Sequence, residues 1–132
     1  MVALDTNIII RFLVRDDEKQ AKLVYSRLKE TEDRSEVLFV PLVVLLEVIW
    51  VLESAYEMDR NQIILAIEDL MQMPIIKFEA DSMLEDFLSL ARGTNIELDD
   101  LLIGCSAKSC HCSSIITFDK KAGRFPFFEI LK

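Results

Sequence analysis

The sequence predicts an α/β fold built around a parallel sheet. Short apolar runs recur at residues 2–4, 37–40, 75–78, 114–118 and 127–131, and each has the length and continuity of a strand buried on both faces. Stretches with apolar residues at helical spacing separate them, and alternation of the two patterns is the signature of parallel strands joined by crossover helices. With only three Gly and three Pro in 132 residues, long flexible connections are not expected.

Taken in order, residues 2–4 form an apolar strand that ends at Asp5, and residues 6–14 read as a short helix. Asp16 or Asp17 can cap a second helix, whose face carries Ala21, Val24, Tyr25 and Leu28. Residues 37–40 are the second strand, and Pro41 suits the first turn of a helix over 42–56. Asp59 and Gln62 have the spacing of a capping box for a helix to residue 73, which Pro74 stops before strand 75–78. Residues 81–92 place Leu84, Phe87, Leu88 and Ala91 on one face, with Gly93 as the terminator. Asp99 or Asp100 opens a helix to residue 110, and strands 114–118 and 127–131 follow.

The length fits one domain over residues 1–132, with enough apolar residues, 52%, for a core. A net charge of −8, from 15 basic and 23 acidic residues, speaks against a passive nucleic-acid binder that gains affinity from Lys and Arg on phosphates. It leaves room for an enzyme whose positive charge comes from bound cations. Three cysteines without framework spacing point to a reducing, cytoplasmic setting, and the first residues lack the blocks of a signal peptide. The longest apolar stretch, 37–52, contains Pro41 and Glu47. It falls short of the roughly 20 residues that span a bilayer, so no membrane partner is expected.

Candidate chemistry gathers on carboxylates. Ligands of open parallel sheets bind beyond the carboxyl ends of the strands. Asp5 ends the first strand and Asp119 follows the fourth, while Asp100 lies in a first helical turn, where the dipole favours an anion. Each also has a purely local role open to it, as a helix cap or a turn residue. Glu47 has Val43, Val44, Trp50 and Val51 three and four residues away, and Leu45, Ile49 and Leu52 on the other face. A helix apolar all round is buried, so Glu47 reads as a carboxylate at the edge of a core that pairs with an Arg, shifts its pKa or binds metal. Four carboxylates on one site would repel, since two unit charges 4 Å apart interact by roughly 4 kcal/mol at an effective dielectric near 20. Mg2+ or Mn2+ suits such an all-oxygen set and leaves positions for a phosphate oxygen and a water, which implies metal-assisted hydrolysis.

Four strings in order then resemble the PIN-domain family. Leu4-Asp5-Thr6-Asn7-Ile8-Ile9-Ile10 looks like its opening motif and Leu46-Glu47-Val48 its second. Asp100-Leu101-Leu102-Ile103-Gly104 is similar to the third, and Thr117-Phe118-Asp119-Lys120-Lys121 to the last. The resemblance covers the whole chain. It implies a three-layer α/β/α fold with a five-stranded, mostly parallel central sheet, Mg2+- or Mn2+-dependent cleavage of RNA, and frequent homodimers. Small stand-alone members are often toxins of the VapC type, held inactive by an antitoxin. By motif match Asp5, Glu47, Asp100 and Asp119 are the acidic quartet and metal ligands, Asn7 supports the Asp5 turn, and Thr117 shares a strand face with Asp119. The position before the third acid, often uncharged in the family, is Asp99 here; Asp100 fits the motif register better, and Asp99 is the alternative that could share or swap its role.

Other features carry less. Arg11, Arg15, Lys120, Lys121 and Arg124 flank the acids and are candidates for RNA phosphates or for ordinary solvated charge. Cys105, Cys110, His111 and Cys112 do not have zinc-site spacing, and His111 has no Gly-x-Ser-x-Gly partner string. Trp50 reads as core or dimer interface. A receiver domain is disfavoured because strand 75–78 leads into Glu79 without an acceptor Asp, and a phosphatase because Asp5-Thr6-Asn7 lacks the second Asp. The remaining alternatives are a PIN-like scaffold that binds without cutting and a component of RNA processing. The apolar residues Ile63, Ile64, Ala66, Ile67, Leu70 and Met71 suggest a dimer through helices 42–56 and 59–73.

Overall fold

Five short strands and six helices alternate along the chain, and the computed structural model describes all 132 residues. They divide into two units, residues 1–79 and 80–132, each with its own parallel ladder.

In the first unit, β1 (Val2–Ala3), β2 (Leu38–Val40) and β3 (Ile76–Phe78) pair in that order. Helices α1 (Thr6–Val14) and α2 (Glu18–Asp33) connect β1 to β2, while α3 (Leu42–Ser54) and α4 (Arg60–Gln72) connect β2 to β3. The caps follow local chemistry. Asp17 accepts from the Gln20 amide at 3.0 Å, and Asp59 and Gln62 exchange both bonds of a capping box. Val24, Leu28, Leu38 and Ile75 form a buried cluster with Leu4, Phe12, Met73 and Ile76 packed against it. Each fully buried Leu or Ile contributes about 1.5–3 kcal/mol.

Helix α3 ends at Ser54, within two residues of the expected bound, with Glu57 left-handed at φ 50° in the turn that follows. One expectation fails here. The apolar surplus expected on α4 is absent: Ile63, Ile64, Ile67 and Leu70 are buried, and Leu65 is its one large exposed hydrophobic.

In the second unit, α5 (Asp81–Gly93) packs against α6 (Leu98–Ser109). Met83, Leu84, Phe87, Leu88 and Ala91 of α5 and Leu98, Leu101, Leu102 and Cys105 of α6 are buried. Gly93 is the last helical residue and has no positive φ. The terminator is instead Thr94, extended at φ −135°, with its hydroxyl donating to the Leu90 carbonyl at 2.8 Å. Strands β4 (Ile115–Thr117) and β5 (Phe128–Ile130) pair in parallel, with a short 3-10 turn at Ala122–Arg124 between them. A Cβ on Gly104 would stand 3.2 Å from the Phe128 ring, which explains why α6 carries its smallest residue there.

Pairing therefore falls into a three-stranded and a two-stranded ladder, rather than the single five-stranded sheet expected. Strands of two or three residues make few ladder bonds, and each pairs within its own unit. No helix is long and apolar enough to cross a membrane.

Candidate active site

Asp5 lies where β1 hands over to α1. Its backbone is extended at φ −88°, ψ 164°, and Oδ1 accepts the Thr6 amide at 2.8 Å. Asp5 thus serves as a helix cap through one oxygen, and its exposed carboxylate keeps the other available. Thr6 is buried, and its hydroxyl has no partner. Asn7 is exposed, and the bond that fixes this turn comes from Asp5 rather than from Asn7.

Glu47 is exposed, which corrects the expectation of a buried acid. Helix α3 buries Leu45, Val48, Ile49 and Leu52 and turns Val43, Glu47 and Trp50 outward. Those three stand four and three residues apart, on one stripe of the helix surface. Val43 is 75% and Trp50 62% exposed, so Trp50 is not a core residue. An exposed carboxylate has no burial cost to offset, and Glu47 has no Arg partner.

The two arginines expected near RNA are engaged within the first unit. Arg11 donates through Nε to Gln20 at 2.6 Å and through one terminal nitrogen to Asp16 and the Tyr56 hydroxyl, both at 3.2 Å. The Tyr56 bond holds the guanidinium above its usual pKa. Arg15 closes α1 in the left-handed region at φ 59° and lies 4.3 Å over the Tyr25 ring. Both act as staples between helices, which favours a structural role for each.

The second unit holds the other acids. Asp99 and Asp100 are in the first turn of α6 and half-buried. Asp99 Oδ1 accepts the Asp100 amide at 2.8 Å, so Asp99 is turned onto the backbone while the Asp100 side chain remains unengaged. The Asp100 carboxyl is raised above its ordinary value by burial first, then by the charges of Asp99, Asp119 and Glu97. Asp119 follows β4. Its Oδ1 accepts the Lys121 amide at 2.8 Å, and its own amide donates to Thr117 Oγ1 at 3.0 Å. Thr117 thereby holds the Asp119 turn, closer than a shared strand face requires. Lys120 is exposed, and Lys121 Nζ reaches Glu97 at 3.3 Å.

Glu97 is the residue sequence reasoning missed. It precedes the motif, and only its place before the first turn of a helix already bearing two acids signalled it. A cleft of about 430 Å³ adjoins this turn, lined in part by Asn95, Ile96, Asp100, Lys121, Arg124 and Phe125.

The structure thus places Asp99, Asp119 and Glu97 within electrostatic reach of Asp100. Within neither unit do three or more His, Cys, Asp or Glu form a group that could alone hold an ion. The donors nonetheless fit a hard cation in kind: all are oxygens, and Asp100 feels uncompensated negative charge. Cys110 and Cys112 are exposed and Cys105 is buried, its thiol pushed up by burial.

The family model of the PIN domain matches residues 2–127. A VapC ribonuclease of Aquifex aeolicus (strain VF5) is 24% identical over 127 residues, covering 96% of this chain and 93% of the relative. The match takes in all four strings that carry the acids, from Asp5 to Asp119, and the chain belongs to the PIN-domain family.

Proposed function

We propose that the protein is a Mg2+- or Mn2+-dependent endoribonuclease in which Asp5, Glu47, Asp100 and Asp119 carry the reaction, with residues 1–132 acting as one catalytic domain. The observation that carries the reading is Asp100: an acid without a hydrogen bond, crowded by Asp99, Asp119 and Glu97 beside a cleft with cations on its wall. Membership of the PIN-domain family and similarity to a VapC ribonuclease support it.

Asp5, Glu47, Asp100 and Asp119 would hold the ion. When bound, it lowers the pKa of water and neutralises charge on the scissile phosphate. The chain's own contributions are positional. The Lys121 amide fixes one oxygen of Asp119 and frees the other to face substrate. Asp99 straps the first turn of α6 and so orients Asp100. In the hydrolysis, water oxygen bonds to phosphorus, one P–O bond of the phosphodiester breaks, and the departing oxygen takes up a proton.

The same reading makes the protein the toxin of a toxin–antitoxin pair in the cytoplasm. An antitoxin Arg or Lys would enter among the acids, matching the charge of a missing cation. A homodimer in this reading leaves the Val43–Glu47–Trp50 stripe open, because covering it would bury an acid that the reaction needs. The test is incubation of the purified protein with single-stranded RNA. Cleavage in Mg2+ or Mn2+ that stops with chelator is expected. Cleavage unchanged by chelator overturns the mechanism, and intact RNA under every condition favours a scaffold.

A further inference from the structure

We propose that the cleft beside Asp100 is a subsite for one unpaired nucleotide of the RNA, with its phosphate on Arg124 and Lys121, its base against Phe125 and the base edge read by Asn95. The inference rests on the ribonuclease reading and adds to it which part of the strand the second unit grips.

The volume, about 430 Å³, lies within the roughly 300–1,000 Å³ of small-ligand pockets. Its lining divides by chemistry as a nucleotide does. Ile96 and Phe125 are apolar and half-buried, a surface for a flat base. Phe125 packs against the buried Phe128, with ring centroids 6.1 Å apart. Arg124 is exposed and has no ion pair. Its planar fork suits a phosphate. In a chain of net charge −8, an Arg left without a carboxylate is a vacancy for an external anion. Lys121 is tied only to Glu97, at 3.3 Å, with 74% of its side chain exposed. Such surface pairs hold weakly, and a phosphate can draw the ammonium away.

Asn95 supplies the reading element. It is exposed, and its amide offers one donor and one acceptor side by side. That amide can make two bonds with the adjacent donor and acceptor on the edge of an unpaired base, adenine or uracil. The neighbouring Thr94 hydroxyl is committed to the Leu90 carbonyl and does not compete. A duplex cannot enter, because its bases are stacked and paired; an unpaired nucleotide can turn into the cleft.

The test is an amide NMR titration of the whole protein in chelator with adenosine monophosphate, uridine monophosphate, ribose 5-phosphate and inorganic phosphate. Shifts at Asn95 and at residues 121–125 are expected, with adenosine monophosphate binding roughly tenfold more tightly than ribose 5-phosphate, the effect of one stacked base. Arg124→Ala should weaken all four ligands, while Phe125→Leu and Asn95→Ala should weaken only the two nucleotides. A thermal melt checks each variant for folding. Equal binding of adenosine monophosphate and ribose 5-phosphate, or shifts confined elsewhere, overturns the subsite. Cleavage assays separate the two readings: RNA cut without nucleotide binding sinks the subsite alone, and binding without cleavage upholds it while sinking the ribonuclease.

Discussion

The amide of Asp100 donates to Asp99 Oδ1 at 2.8 Å. Two adjacent carboxylates thereby take different parts, one spent on the helix start and one left facing outward. Asparagine at 99 keeps an acceptor in the same place, whereas alanine loses it. Asp99→Asn should therefore retain cleavage and stability. Asp99→Ala should cost about 1 kcal/mol, the usual net worth of one hydrogen bond, measured by chemical denaturation. Asp100→Asn should remove cleavage in a protein that folds fully.

Asp100 also sets a pH dependence. Its carboxyl is raised in the fold by burial and then by Asp99, Asp119 and Glu97, so ionisation is less favourable folded than unfolded. Its contribution to stability is present below the ordinary carboxylate pKa and is lost as pH rises through the raised value. Melting temperature of the metal-free protein should fall across that window, and Asp100→Asn should flatten the fall. The gain at neutral pH should be below about 1 kcal/mol, because much of the group is open to screening solvent.

Helix α6 ends in a Schellman motif, with Cys112 donating to Ala107 at 3.1 Å and His111 to Lys108 at 3.0 Å. His111 occupies the left-handed position at φ 66°. Left-handed backbone costs a side-chain-bearing residue about 1–2 kcal/mol, and glycine avoids it. His111→Gly should raise stability by about 1 kcal/mol in urea unfolding, with cleavage unchanged.

Gly104 lets α6 approach Phe128, and an added Cβ would lie 3.2 Å from the ring. Gly104→Ala should be near neutral, since better helix propensity, about 1 kcal/mol, offsets a tight contact. Gly104→Val has no such offset and should cost about 1–3 kcal/mol from overpacking, read as a lower denaturation midpoint.

What was legible in the sequence was what local chemistry decides. Asp17 with Gln20 and Asp59 with Gln62 specify their helix starts within three residues. Strand positions followed from short apolar runs for the same reason. Glu47 was misread because composition does not say which apolar residues of a helix face outward; Val43 and Trp50 do. The hydrogen bond of Arg11 to Tyr56, at 3.2 Å, was not legible because the partner lies 45 residues away. Gly93 looked like a helix terminator, yet Arg15, Ser35, Glu57 and His111 adopt left-handed backbone while no glycine does. The four acids were singled out by ordered motifs alone, and Glu97, outside those motifs, was not.

The account stands on Asp5, Glu47, Asp100 and Asp119 acting together. The most direct measurement is the Mn2+-dependent rate of RNA cleavage by four single variants, Asp5→Asn, Glu47→Gln, Asp100→Asn and Asp119→Asn, each with a thermal melt. Every one should lose about a hundredfold or more, as expected when a cation loses a ligand or its orientation, with folding intact. Cleavage at the wild-type rate by any one of the four, with exposed Glu47 the most exacting case, would contradict it.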